Sequence, residues 1–115
     1  MNDCIFCKIA EGSIPARKVY EDDFVVAFHD LAPQAPVHVV IIPKEHAANL
    51  NKAARSLSDE TLARLLRTAA DVASILGIAD SGYRIISNCG PDARQSVQHL
   101  HVHLLGGEQL PEKIV

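Results

Sequence analysis

The stretch Gln95-Ser96-Val97-Gln98-His99-Leu100-His101-Val102-His103-Leu104-Leu105 alternates imidazoles with aliphatic side chains over its second half. Successive side chains of a β-strand point to opposite faces, and residues two apart share a face at roughly 6.5–7 Å spacing. The alternation therefore predicts a strand over 97–105. Leu100, Val102 and Leu104 turn into a core, and His99, His101 and His103 form a row on the other face. Three imidazoles in line make a poor core, because each carries two polar nitrogens that need partners. Three readings compete for such a row: a structural one, a metal site built of neutral imidazoles, and a catalytic row in which imidazole serves as nucleophile, acid or base.

Upstream of this strand, Asn88 to Ser96 is polar, contains Gly90 and Pro91, and reads as a loop; Tyr83 to Ser87 reads as a strand; downstream, Gly106-Gly107 ends the histidine strand. Further back, Ser58 is an N-cap, with Asp59 and Glu60 at the positive end of a helix dipole and Gly77 as the stop. Leu62, Leu65, Leu66, Ala69, Ala70, Ala73 and Leu76 fall on one face of that helix, while Arg64, Arg67 and Asp71 fall mostly on the other. In the first third, Cys4 to Ala10 reads as one or two helical turns and Glu11 to Pro15 as a turn. Lys18–Tyr20 and Phe24–Phe28 read as strands joined by Glu21-Asp22-Asp23, and Val37–Ile42 as a third strand ended by Pro43. Strands, one long helix and strands again, on short connections, predict an α+β fold: about five antiparallel strands, the long helix on one face and a short N-terminal helix.

A chain of 115 residues suits one domain over 1–115, and 48 % hydrophobic residues exclude a disordered chain. The net charge is −3 and no Lys/Arg cluster occurs, which argues against nucleic acid as the main partner. No stretch approaches the roughly 18 apolar residues of a membrane span. Met1-Asn2-Asp3-Cys4 shows neither a basic region nor an apolar run, so a cytoplasmic location is expected. Three cysteines, an odd number, fit no closed disulfide framework. Cys4 and Cys7 read as metal ligands, redox thiols or plain core.

The histidine stretch closely resembles the histidine-triad motif. The likeness extends to Cys4-Ile5-Phe6-Cys7-Lys8-Ile9, Ile14-Pro15, Phe28-His29-Asp30, Pro33-Gln34-Ala35-Pro36-Val37-His38, Ile42-Pro43-Lys44 and Ser87-Asn88, nearly the whole chain. The branch it is most similar to is that of the Hint-like nucleotide-binding phosphoramidases. The resemblance implies the histidine-triad fold, a homodimer whose sheets join across the two-fold, and hydrolysis of purine nucleoside phosphoramidates at the α-phosphorus of nucleoside monophosphate derivatives. His101 matches the nucleophile, which passes through a covalent nucleotidyl-histidine, and the carbonyl of His99 matches the acceptor that fixes its tautomer. His103 matches the histidine that contacts the phosphate and helps the leaving group, and His38 the one that supports the row. Asn88, Gln95, the Ser96 hydroxyl and the Val97 backbone N–H match the phosphate donors. Asp30 matches the carboxylate that takes the ribose hydroxyls, and Phe6, Ile14, Phe28 and Leu31 the apolar base pocket. His29, next to Asp30, is expected to face away.

Some histidine-triad proteins with a Cys-x-x-Cys join it to two histidines, which implies structural zinc at Cys4, Cys7, His46 and His99, not needed for the chemistry. The likeness breaks at Arg94, where Hint-like sequences commonly carry glycine. Arg94 either adds positive charge beside the phosphate or points to water, and the loop is expected to run differently around it. Two other functions stay open: a dinucleoside polyphosphate hydrolase, and a nucleotide-binding regulatory protein with incidental activity.

Overall fold

The computed structural model describes residues 3–113. Five strands, β1 (Lys18–Glu21), β2 (Val25–His29), β3 (Val37–Pro43), β4 (Tyr83–Ile86) and β5 (Val102–Gly106), form one antiparallel sheet in the order β1-β2-β3-β5-β4. Three helices accompany it: α1 (Ile5–Glu11), α2 (Leu50–Ser56) and α3 (Asp59–Ile75). The α+β architecture is the one the strand and helix patterns predict. No helix among the described residues is long and apolar enough to cross a membrane.

The sheet has two unequal faces. Val25, Ala27, Val39, Ile41, Val102 and Leu104 meet Leu65, Ala69, Val72 and Ala73 of α3 in the larger core. Val26, Phe28, Val40 and Ile42 point the other way, where Ile9, the half-buried Phe6 and Ala10 of α1, with Ile14 and Ala16 after it, cover them. This thin cover leaves room on the second face, and that face carries the histidines.

The long helix begins as its cap signals require. The Ser58 hydroxyl accepts the Thr61 N–H at 3.1 Å. It ends at Gly77 with φ of 76°, in a reversal where the Ile78 N–H reaches the Ala73 carbonyl at 2.9 Å. Its buried stripe differs from the expected one. Thr61, Thr68 and Val72 share the inner face, while Leu66 is 60 % exposed and Ala70 is also exposed. Leucine and alanine spacing alone set the stripe off by part of a turn; the small β-branched residues between them do the packing. Helix α2, seven residues capped by Asn49, lies in a stretch to which the sequence patterns assign no element.

The larger correction concerns the histidine strand, which starts at Val102 and not at Val97. The β3–β5 ladder runs from Val37↔Gly106 to Ile41↔Val102 and stops there. Beyond it β3 reaches Pro43, which has no N–H to offer a neighbour. The segment 97–101 turns instead to the loop after β3, and the Leu100 N–H donates to the Ala47 carbonyl at 2.7 Å. The facing pattern survives without the ladder: Leu100, Val102 and Leu104 are all in the core under α3.

Candidate active site and metal centre

The hydrogen-bond partners of the four inner histidines settle which ring nitrogen carries hydrogen. A carbonyl oxygen only accepts, so an imidazole nitrogen bonded to it must be the N–H. His101 Nδ1 donates to the His99 carbonyl at 2.7 Å, which leaves a lone pair on Nε2. His99 Nε2 donates to the Pro43 carbonyl at 2.8 Å, which leaves its lone pair on Nδ1. The backbone N–H of Gln34 donates to His38 Nδ1 at 3.0 Å, so His38 carries its hydrogen on Nε2. That hydrogen points at His103 Nδ1, 2.9 Å away, and His103 in turn bears its N–H on Nε2. His101 therefore offers a nucleophilic nitrogen and His103 a donor, on rings whose centroids are 5.1 Å apart.

Burial disfavours the charged forms of His38, His99 and His103. His38, His99 and His101 are 6 %, 0 % and 2 % exposed. Desolvation holds His38 below the ordinary imidazole range against the nearby Asp30 carboxylate, and holds His99 below it too. His103 is pushed down to about 4, by burial first and then by repulsion from His101 and His38. Among the described residues, no buried side-chain nitrogen or oxygen lacks a hydrogen-bond partner. An anion arriving beside the row meets uncharged donors and rings whose proton affinity it raises.

Cys4, Cys7, His46 and His99 converge as the Cys-x-x-Cys resemblance implies. Cys4 caps α1, and its sulfur accepts the Cys7 N–H at 3.3 Å, so both sulfurs sit at the first turn. His99 Nδ1 lies 3.2 Å from Cys4 Sγ, 3.4 Å from Cys7 Sγ and 3.1 Å from His46 Nδ1. Ligands at tetrahedral zinc distances lie roughly 3.3–3.8 Å from one another, so the set needs to open by only a few tenths of an ångström. The donor chemistry fits as well. The His99 lone pair faces the cluster because a carbonyl holds its other nitrogen, the usual outer partner of a metal-bound imidazole. These four residues fit a structural zinc ion, which when bound would supply a cross-link between α1, the loop after β3 and the triad segment.

A second group, Asp30, His38 and His103, also converges. It is a hydrogen-bond relay and not a ligand set, because the Gln34 N–H forces hydrogen onto the His38 nitrogen that would have to bind a metal.

A cavity of about 200 Å³ opens beside the row, lined by Phe6, Ile14, Phe28, Asp30 and Leu31 among others. The Phe6 ring meets Phe28 edge to face at 5.7 Å and His101 at 5.1 Å, so the apolar cavity abuts the triad directly. His29 borders this cavity as well, and its ladder partner Val39 lies in the core under α3, the face opposite Phe28. Strand β2 ends at His29, and Asp30 leaves the sheet, its Oδ1 accepting the Ala32 N–H at 2.8 Å. A larger cavity, about 520 Å³, lies around Tyr20, Glu60, Arg64 and Asp71 on the outer side of α3 and touches no histidine.

The loop before the triad is a closed hydrogen-bonded unit. The Gln95 carboxamide accepts the Gly90 N–H at 2.9 Å and donates to the Ala48 and Val97 carbonyls at 2.7 and 2.8 Å. Ser96 and Val97 follow it, beside Cys4 and His46 at the rim of the metal cluster. Asn88 is half-buried just past β4. Arg94 has φ of 60°, the left-handed conformation that glycine adopts freely. The loop thus keeps a glycine-type backbone despite the arginine, where a different course was expected, and an L-residue there costs roughly 1–2 kcal/mol. Arg94→Gly is expected to raise stability by about 0.5–1 kcal/mol once the greater freedom of glycine in the unfolded chain is subtracted. Urea unfolding midpoints of the two proteins check this.

Residues 11–110 match the protein-family model described as HIT domain. The purine nucleoside phosphoramidase of Escherichia coli (strain K12) is 43 % identical over 108 residues, covering 94 % of this chain and 90 % of that protein. A 14 kDa zinc-binding protein of Brassica juncea is 50 % identical over 110 residues, covering 94 % and 96 %. Among solved structures, a HIT family hydrolase from Clostridium thermocellum superposes with a TM-score of 0.93 at 47 % identity, covering 100 % of this chain and 99 % of that one.

Proposed function

Since the chain belongs to the HIT domain family, we propose that it is a hydrolase of purine nucleoside phosphoramidates that works through a nucleotide covalently held on His101. One observation carries the reading. The His101 Nδ1 hydrogen is fixed on the His99 carbonyl, which aims an Nε2 lone pair into the site. The similarity to the E. coli purine nucleoside phosphoramidase supports the substrate class.

His101 Nε2 attacks the α-phosphorus, and the phosphorus–nitrogen bond of the substrate breaks with its electron pair going to the amine. A neutral His103 cannot give up its only N–H, so the His38–His103 pair must first take a proton from solvent. The bound phosphate anion favours that uptake. His103 then passes its Nε2 proton to the departing amine. In the second half, water attacks phosphorus and gives a proton back to His103, and the bond to His101 breaks to release the nucleoside monophosphate. Splitting one displacement into two is the gain of covalent catalysis.

The Ser96 hydroxyl, the Val97 N–H and Asn88 take the phosphate oxygens as preorganised donors. Gln95, its amide hydrogens already engaged, contributes by holding that loop in shape. The Asp30 carboxylate takes the ribose hydroxyls, and Phe6, Ile14, Phe28 and Leu31 enclose the base. Mixing the protein with adenosine 5′-phosphoramidate, quenching in milliseconds and measuring intact mass is expected to reveal adenylate on His101. Cleavage without any adenylated protein would overturn the covalent route.

The same reading assigns a homodimer. Strand β4 is an edge of the sheet, and beside it Leu50, Leu66 and Ile85 are 50 %, 60 % and 41 % exposed along one apolar groove. A contiguous exposed apolar surface of this kind marks an interface, and a second copy is its occupant. Ile85→Arg is expected to turn a dimer into a monomer by sedimentation equilibrium; a wild type that is itself monomeric at micromolar concentration would rule the dimer out.

A further inference from the structure

The relay behind His103 has a gap that one more residue fills. To protonate an amine, the His38–His103 pair must carry an extra hydrogen. His38 Nδ1 is already spoken for by the Gln34 N–H, so the extra hydrogen has to enter at His103 Nδ1. There it collides with the His38 Nε2 hydrogen, 2.9 Å away and pointing at the same atom. The way out is a second acceptor for His38. Asp30 Oδ2 lies 3.5 Å from His38 Nε2, and a carboxylate oxygen of Asp30 and one ring nitrogen each of His38 and His103 lie within 4.8 Å of one another.

We propose that Asp30, besides facing the ribose, is a positioning residue for proton delivery, its Oδ2 accepting the His38 Nε2 hydrogen while His103 Nδ1 is protonated. The inference rests on the acid role given to His103 above. The proton enters from solvent, the His38 hydrogen turns from His103 to Asp30, and the Nε2 proton of His103 leaves with the amine. The second half-reaction refills His103 from water. The charged and titratable groups that face His103 are His101 on its own segment, His38 on β3 and Asp30 after β2. Asp30 is the single negative one, and it raises the proton affinity of both His38 and His103. The remaining oxygen, Oδ1, is held by the Ala32 N–H, which keeps the carboxylate aimed.

Asp30→Asn tests this, because the asparagine oxygen can still accept the Ala32 N–H while the charge and the second acceptor oxygen are lost. The first readout is the titration of the His38 and His103 rings by ¹⁵N NMR in the ligand-free protein. A carboxylate this close is expected to raise their proton affinity about tenfold or more, so the variant's midpoint falls by about one pH unit. The second readout is kcat on 2′,3′-dideoxyadenosine 5′-phosphoramidate, which has no hydroxyls for Asp30 to hold. The variant is expected to lose about tenfold in kcat on this substrate too, and its alkaline limb is expected to move to lower pH by the same unit. An unchanged NMR midpoint, or a defect that vanishes on the dideoxy substrate, would reduce Asp30 to a ribose contact. If neither protein cleaves any phosphoramidate, the proposed function fails, and the NMR titration still decides whether Asp30 tunes the pair.

Discussion

His101→Ala is expected to lower kcat on adenosine 5′-phosphoramidate by roughly 10⁴–10⁶-fold, the range seen when a covalent nucleophile is removed. The ring is 2 % exposed and edge-packed by Phe6, so no solvent histidine substitutes for it. Only the Phe6 wall of the named cavity residues packs on this ring, and Ile14, Phe28, Leu31 and the donor loop remain without it, so affinity for adenosine monophosphate is expected to stay within about tenfold. That separation of kcat from binding is the decisive feature. His101→Asn is expected to behave alike, because a carboxamide presents no comparable nucleophile. A variant retaining a hundredth of wild-type turnover would remove His101 from the nucleophile's place. His103→Ala is expected to fall less, by about 10²–10⁴-fold, the usual contribution of a general acid.

Loss of the metal centre is the second large effect. Cys7→Ser, or prolonged chelation, is expected to lower the thermal midpoint by about 10–15 °C, corresponding to roughly 3 kcal/mol in a chain of this size. The reason lies in α1. Seven residues are too few to be helical alone, and the helix rests on the thin second core with Ile9 as its one buried aliphatic residue. Differential scanning calorimetry with metal analysis on the same samples checks this. A wild type that purifies without zinc, and whose midpoint zinc does not move, would show that the four residues form no metal site. The triad strand β5 is expected to survive metal loss, because its ladder with β3 and β4 lies beyond the cluster.

How far the sequence could be read depended on which physics governed each segment. Alternation placed Leu100, Val102 and Leu104 in the core because burial follows the backbone's two-residue period whether or not a ladder forms. The same alternation could not say where the ladder ends, since that depends on Pro43 in another strand. The cap at Ser58 and the stop at Gly77 were local and therefore legible. The exposure of Leu66 was not, because it turns on what lies across from α3. At the site, residue types pointed to imidazole chemistry, but the direction of each lone pair depends on carbonyls and amides at Pro43, His99 and Gln34 that no motif names. Arg94 shows the converse: the backbone kept the conformation a glycine would take although the residue changed, held by the Gln95 carboxamide.

Helix α1 carries Cys7 into the metal cluster and Phe6 into the wall between the base cavity and His101. One short rigid piece would therefore answer both to zinc and to the nucleotide of the proposed function. Thermodynamic reciprocity then requires that whatever factor zinc contributes to nucleotide affinity, nucleotide returns to zinc affinity. Where zinc strengthens nucleotide binding, a cell short of zinc would hold the metal longest in those copies already occupied by a nucleotide.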